Sequence, residues 1–209
     1  MSKMEKSELA LKLMRENDLD LEVFIKAYIG AQELRGSDYY EAAKHVFNTV
    51  AGVGLDRFKL ASAGMHLFAK ADIAAGKKSM CYMWFMYPQI RGLGKSRISR
   101  FYGIKGMKEA KEYLLDDELR ETLVDLLSYM LRTFTDKDIS KQLLDMFGFV
   151  DCMKLRSCIT LFDKAYQSLK RDNSPGWGIE GADVFNKAIN QFFGGLYCSA
   201  TTNKLFNPK

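Results

Sequence analysis

Between Asp117 and Phe134 the apolar side chains fall at Leu119, Leu123, Leu126, Leu127 and Met130. Steps of three and four put all five on one face of an α-helix. Nowhere does the chain show the strict alternation that a half-buried strand needs. The same helical spacing recurs at Leu21, Phe24, Ile25, Tyr28 and Ile29, and a further helix carries Met153, Leu155, Ile159, Leu161 and Phe162. The expected class is therefore all-α, a compact multi-helix globular domain with a helical N-terminal extension.

Helices are expected over 7–16, 21–34, 55–75, 96–102, 108–115, 117–134, 137–147, 151–169 and 182–193, with one more opening at Asp38 and a short turn near 202–206. Asp38 with Glu41, and Thr135 with Asp138, have the spacing of helix-start caps. Gly76, Gly103, Gly148 and Gly194 stand where helices should stop. The apolar run 79–87 fits a buried helix or a strand, and Pro88 ends either one. "AGVG" at 51–54 interrupts the pattern. It divides an extension, residues 1–54, from a domain, residues 55–209.

With 209 residues, 47% hydrophobic and 27% charged, the chain can bury a sizeable core. The first residues, MSKMEKSELALKLMREND, lack the apolar stretch of a secretion signal. No run reaches the roughly 18 apolar residues of a membrane span. A soluble cytoplasmic protein is expected, without membrane association, its four cysteines reduced. Those cysteines show no CxxC spacing and only His45 and His66 accompany them, so no metal site is expected. No carboxylate pair stands out for acid–base work. A Ser–His nucleophile would need His45 or His66 to fold close to Ser96 or Ser99.

One stretch differs from the rest: "MWFMYPQIRGLGKSRISRFYGIKG", residues 83–106. Trp84, Phe85 and Tyr87 offer rigid apolar surface for a core or for stacking on a ring. Gln89 carries a donor and an acceptor. Gly92 and Gly94 let the backbone approach a ligand. Arg91, Lys95, Arg97, Arg100, Lys105 and Lys108 follow with no acidic residue among them, a local field that favours anions. The spacing GLGKS is not that of a phosphate-binding Walker loop. Farther on, Asp151, Lys154 and Ser157 share a helical face, where a lysine beside a hydroxyl suits a carboxylate or phosphate. Each feature also has a plain structural explanation. Trp84 and Phe85 can be core, Asp151 a cap with Lys154 solvated, Cys81 a small core residue, and His66 structural.

These residues carry a resemblance. "MWFMYPQIRGLGKSRISRFYGI" resembles the signature of the domain-of-unknown-function family 1810. "EAKEYLLDDEL" at 109–119, "MFGFVDCMKLRSCITLF" at 146–162, "FFGG" at 192–195 and "LDRFKLASA" at 55–63 are similar to its other segments. The cover is about residues 55–206. The resemblance implies a compact, mainly helical domain and no established activity. A calpastatin label attached to some members finds no inhibitor repeat here. Two positions depart from the family pattern. Cys81 stands where members commonly have histidine, and Cys198 where they commonly have an acidic residue.

The favoured expectation is a pocket for a small anionic, nucleotide-like ligand, built where 83–103 and 151–160 meet. Its candidate residues are Trp84, Gln89, Arg91, Gly92, Gly94, Ser96, Ser99, Tyr102, Lys154 and Ser157. Catalytic residues and cofactor stay unassigned. The alternatives are a regulatory protein-interaction module, with 1–54 as docking element, and a weak nucleic-acid binder using the basic run with Phe101 and Tyr102.

Overall fold

The computed structural model describes residues 54–62, 65–79, 81–135, 138–174, 178 and 181–207. The expected helices within residues 1–53, with the Asp38–Glu41 cap, lie outside them. Among the described residues there are nine helices and no strand: α1 (Asp56–Ser62), α2 (Met65–Ala75), α3 (Met83–Met86), α4 (Arg97–Phe101), α5 (Met107–Leu115), α6 (Asp117–Thr133), α7 (Ile139–Arg171), α8 (Val184–Phe193) and α9 (Ser199–Phe206). The chain separates into two compact units, residues 1–65 and 66–209. In the first, α1 opens with Arg57 donating a hydrogen bond back to the Gly54 carbonyl.

The periodicity over 117–134 forms α6, and its five apolar residues are all buried. Asp116 opens this helix, its carboxylate accepting from the Leu119 amide. That bond satisfies one of the amides a helix start leaves without an internal partner. The core is organised around α7, which packs against α8, α5 and α9. Phe162 from α7 lies 4.7 Å from Tyr113 of α5 and 5.9 Å from Phe185 of α8, ring centre to ring centre. These stacks fix the long helix laterally.

Four local expectations are corrected. Asp138, rather than Thr135, caps α7, accepting from the Lys141 amide. The run 79–87 resolves to the single helical turn α3. The turn near 202–206 is the last part of an eight-residue helix, α9. Residues 55–75 comprise α1 and α2, with 63–64 outside the described residues.

Gly148 stands inside α7 at φ +68°, ψ 168°, which breaks the helix into two runs. A side chain resists that left-handed φ. The break strands carbonyls, and neighbours take them up. The Lys78 amide donates to the Met146 carbonyl at 3.1 Å, and the Cys152 thiol donates to that of Leu143 at 3.2 Å.

Between α3 and α5 the chain folds back on itself. The Arg91 amide donates to the Ile104 carbonyl (2.8 Å), and the Ile104 amide donates to that of Gln89 (2.9 Å). This parallel bridge of Ile90 and Ile104 closes a loop that contains RGLG and α4.

Candidate functional site

The aromatic run divides by burial. Phe85, Tyr82 and Tyr87 are fully buried, whereas Trp84 is half-buried and reaches the surface. Burial and the neighbouring Tyr87 push the Tyr82 phenol far above its ordinary range, and burial does the same to Tyr87. Asp72 faces the Tyr82 hydroxyl, but that oxygen has no partner in hydrogen-bonding geometry. Both phenols are therefore neutral structural elements.

Lys154 joins the two segments. Its ammonium lies 3.9 Å from the centre of the Trp84 ring and 2.6 Å from the Asp151 carboxylate. A second lysine, Lys78, meets the other oxygen of Asp151 at 3.0 Å and stands 5.7 Å from the Tyr82 ring centre. The side chains of Lys78, Asp151 and Lys154 are only 13%, 16% and 18% exposed. Lys154 is thus not the solvated lysine of the plain alternative, and Asp151 does not cap a helix. Burial alone would raise the Asp151 carboxyl. The hydrogen bonds from Lys154 and Lys78 outweigh it and hold the group below the usual carboxylate range. Two ammonium groups on one carboxylate leave a net positive charge beside Trp84.

Five of the ten candidates, Trp84, Gln89, Gly94, Ser99 and Tyr102, line one small hollow together with Ile90, Leu93 and Gly103. Its interior is about 10 Å³, the room of a single water molecule. Gln89 Nε2 is buried there without a hydrogen-bond partner. Gly94 allows the wall to close, because a Cβ there would stand 2.7 Å from the Ser99 hydroxyl. The two serines serve the start of α4. Ser96 Oγ accepts from the Ser99 amide (3.1 Å), and Ser99 Oγ donates to the Ser96 carbonyl (2.8 Å).

Arg91, Gly92 and Ser96 lie on the exposed side of this loop. Ser157 is not part of the hollow's lining. It is buried and shares a hydrogen bond of 2.8 Å with Thr201 of α9. Cys81, expected as a small core residue, is exposed, whereas Cys152, Cys158 and Cys198 are buried. Burial and the nearby Asp151 push the Cys152 thiol up to about 11.

His66 is tied to a different place. Its Nε2 lies 2.6 Å from Asp125 on α6, and Lys70 reaches the same carboxylate oxygen at 2.9 Å. Burial would raise this acid too, but the two partners hold it below its usual range. Asp125 lines a wide surface groove of about 500 Å³ with Arg120, Arg132 and Gly181. Among the described residues no group of three or more His, Cys, Asp or Glu is placed to hold a metal ion. No helix among them is long and apolar enough to cross a membrane.

Sequence reasoning did not single out Lys78 or Lys204. Lys78 is seventy-three positions before Asp151, and no spacing rule links them. Lys204 belongs to a helix that was expected only as a turn.

The fold is that of a compact multi-helix domain. The family model described as "Protein of unknown function (DUF1810)" matches residues 52–205, and the chain belongs to that family. Among solved structures it is similar to the crystal structure of the conserved hypothetical protein Rv1873 from Mycobacterium tuberculosis. The two are 28% identical with a TM-score of 0.61, over 73% of this chain and 96% of that one. A comparison with curated proteins finds no match.

Proposed function

We propose that the chain binds a small anionic, nucleotide-like ligand at the corner formed by residues 83–103 and the start of the second run of α7. The observation that carries this reading is the seat of Lys154 on Trp84. It joins the two segments beside a hollow that holds the unpartnered Gln89 amide nitrogen. A binding site needs few polar groups set in apolar walls, and these are of that kind. The surrounding charge is positive, from Lys154, Lys78, Arg91 and Lys95 against Asp151. The ligand's body lies outside the hollow, which admits one small polar atom. The protein works in the cytoplasm, where four unpaired cysteines stay reduced. Residues 1–54 are an extension to the binding domain.

The test is a thermal-shift screen of the purified chain against nucleotides, ADP-ribose, sugar phosphates and dicarboxylates. Arg91→Ala and Lys154→Ala run beside it, each compared with its own unliganded melting point. A ligand at a hundred times its Kd stabilises by about 2.7 kcal/mol, which a melt resolves. The expected result is a shift in the wild type that shrinks in both variants. A shift undiminished in both would place the ligand elsewhere and refute the reading.

A further inference from the structure

The RGLG turn is met by a residue from the other end of the domain. Gly92 has φ +91°, and the Lys204 ammonium of α9 lies 3.0 Å from the point where a Cβ at this position would stand. The glycine therefore meets two demands. It takes a backbone conformation that side chains resist, and it leaves open the space beside the lysine. The Lys204 ammonium has no carboxylate or hydrogen-bond partner among the described residues, nor does the guanidinium of Arg91, the next residue along from Gly92. No acidic residue occurs between Ile90 and Lys108. The Lys204 ammonium thus stands against a turn that carries basic residues and no acidic one, a local field that favours an anion.

The position of Lys204 is built in. The start of α9 is fastened to one face of α7 by four contacts. Thr160 Oγ1 accepts from the Cys198 amide (2.9 Å), and Ser157 and Thr201 share a hydrogen bond (2.8 Å). Arg156 donates to the Tyr197 carbonyl (3.3 Å), and the Tyr197 hydroxyl donates to Asp163 (2.8 Å). Residues 156, 157, 160 and 163 recur at helical spacing, so the face is continuous. Asp163 is 1% exposed, and three of the four contacts are buried at one end or both.

We propose that Lys204 grips the charged end of the ligand, and that α9 is therefore a wall of the site. This rests on the anion-site reading and narrows it. The ligand presents a terminal oxyanion, a phosphate or a carboxylate, to the solvent side of the RGLG turn, where Lys204 and Arg91 close on it.

The full chain is titrated by calorimetry with inorganic phosphate, adenosine monophosphate and succinate, with adenosine as the uncharged control. Wild type is compared with Lys204→Met, Lys204→Arg, Arg91→Ala and Lys187→Met, the last removing a surface lysine already paired with Asp183. At least one oxyanion is expected to bind and adenosine to bind far more weakly. Lys204→Met should weaken that oxyanion tenfold or more at an unchanged melting temperature, with a shallower salt dependence. Lys204→Arg should recover most of the loss, and Lys187→Met should match wild type. A preference for phosphate and the monophosphate over succinate assigns a phosphate end, and the reverse a carboxylate end. Binding by Lys204→Met within twofold of wild type, with Arg91→Ala impaired, overturns the role of Lys204 and leaves the anion site standing. Failure of all three oxyanions to bind, or equal binding of adenosine, overturns both.

Discussion

Asp151 is where stability and the site meet, and Asp151→Asn isolates its charge. The wild-type carboxylate accepts from Lys154 at 2.6 Å and lies 3.0 Å from Lys78. A hydrogen bond to a charged group contributes about 1.5–3 kcal/mol. Removing one partner of a fully buried pair costs about 3–5 kcal/mol. These side chains are 13–18% exposed, so water screens part of that cost. An asparagine oxygen can still accept from one ammonium, which leaves the other uncompensated. The expected loss is about 2 kcal/mol at pH 7, a fall in Tm of about 4–8 °C for a chain of this size. Urea unfolding followed by circular dichroism measures it. The pH dependence supplies a second check. The folded carboxyl titrates below its unfolded value, so its contribution is fully present above about pH 4 and is lost as pH falls through the depressed folded value. The gap between wild type and variant should hold constant down to about pH 4 and close below it. A variant within about 0.5 kcal/mol of wild type at pH 7, the range of ordinary surface substitutions, would refute the reasoning.

Further expectations follow from other contacts. Cys198 starts α9 with an extended backbone but without a side-chain cap. Cys198→Ser should therefore raise stability by about 0.5–1 kcal/mol in urea melts, and a loss would show that burial outweighs the cap. Thr160→Val removes the acceptor of the Cys198 amide and should cost about 1–2 kcal/mol, with faster hydrogen exchange across α9. Cys81 is the exposed thiol of the four. A thiol reagent should label the native protein once rapidly and three more times only on unfolding, and Cys81→Ser should abolish the fast phase.

Much of this architecture is legible in sequence because helical spacing reports local burial. Leu119, Leu123, Leu126, Leu127 and Met130 read as one face and form one. Gly148 and Gly194 read as stops, and Gly194 does end α8 in a left-handed conformation. Gly148 also ends one helical run, and a second run starts beyond it, with Lys78 and Cys152 taking up carbonyls that the break strands. The caps were half readable. Asp138 has the right chemistry, but which of two neighbouring residues takes the cap depends on backbone angles the sequence does not encode locally. Trp84, Gln89, Gly94, Ser99 and Tyr102 come from one short segment of sequence and line one hollow. Contacts across the fold, such as Lys78 with Asp151 or Lys204 beside Gly92, leave no periodic trace. Cys81 is exposed, and apolar neighbours in sequence say little about which way a residue ahead of a helical turn faces.

The bridge between Ile90 and Ile104 has a consequence for exchange and for tolerance to change. Its two hydrogen bonds draw the ends of a thirteen-residue span together, and packing of Tyr102 on Phe85 and of Gly94 and Ser99 beside Trp84 holds the span on α3. Closing a loop costs little more free energy as it lengthens, about 0.6 kcal/mol for each doubling. The amides of Arg91 and Ile104 should then exchange with solvent as slowly as those of the core helices, while the tip near Lys95 exchanges fast. Residues added at that tip would lengthen the span without unfastening it. The clasp makes the segment a cassette, in which the tip can vary while its attachment to the helices stays in register.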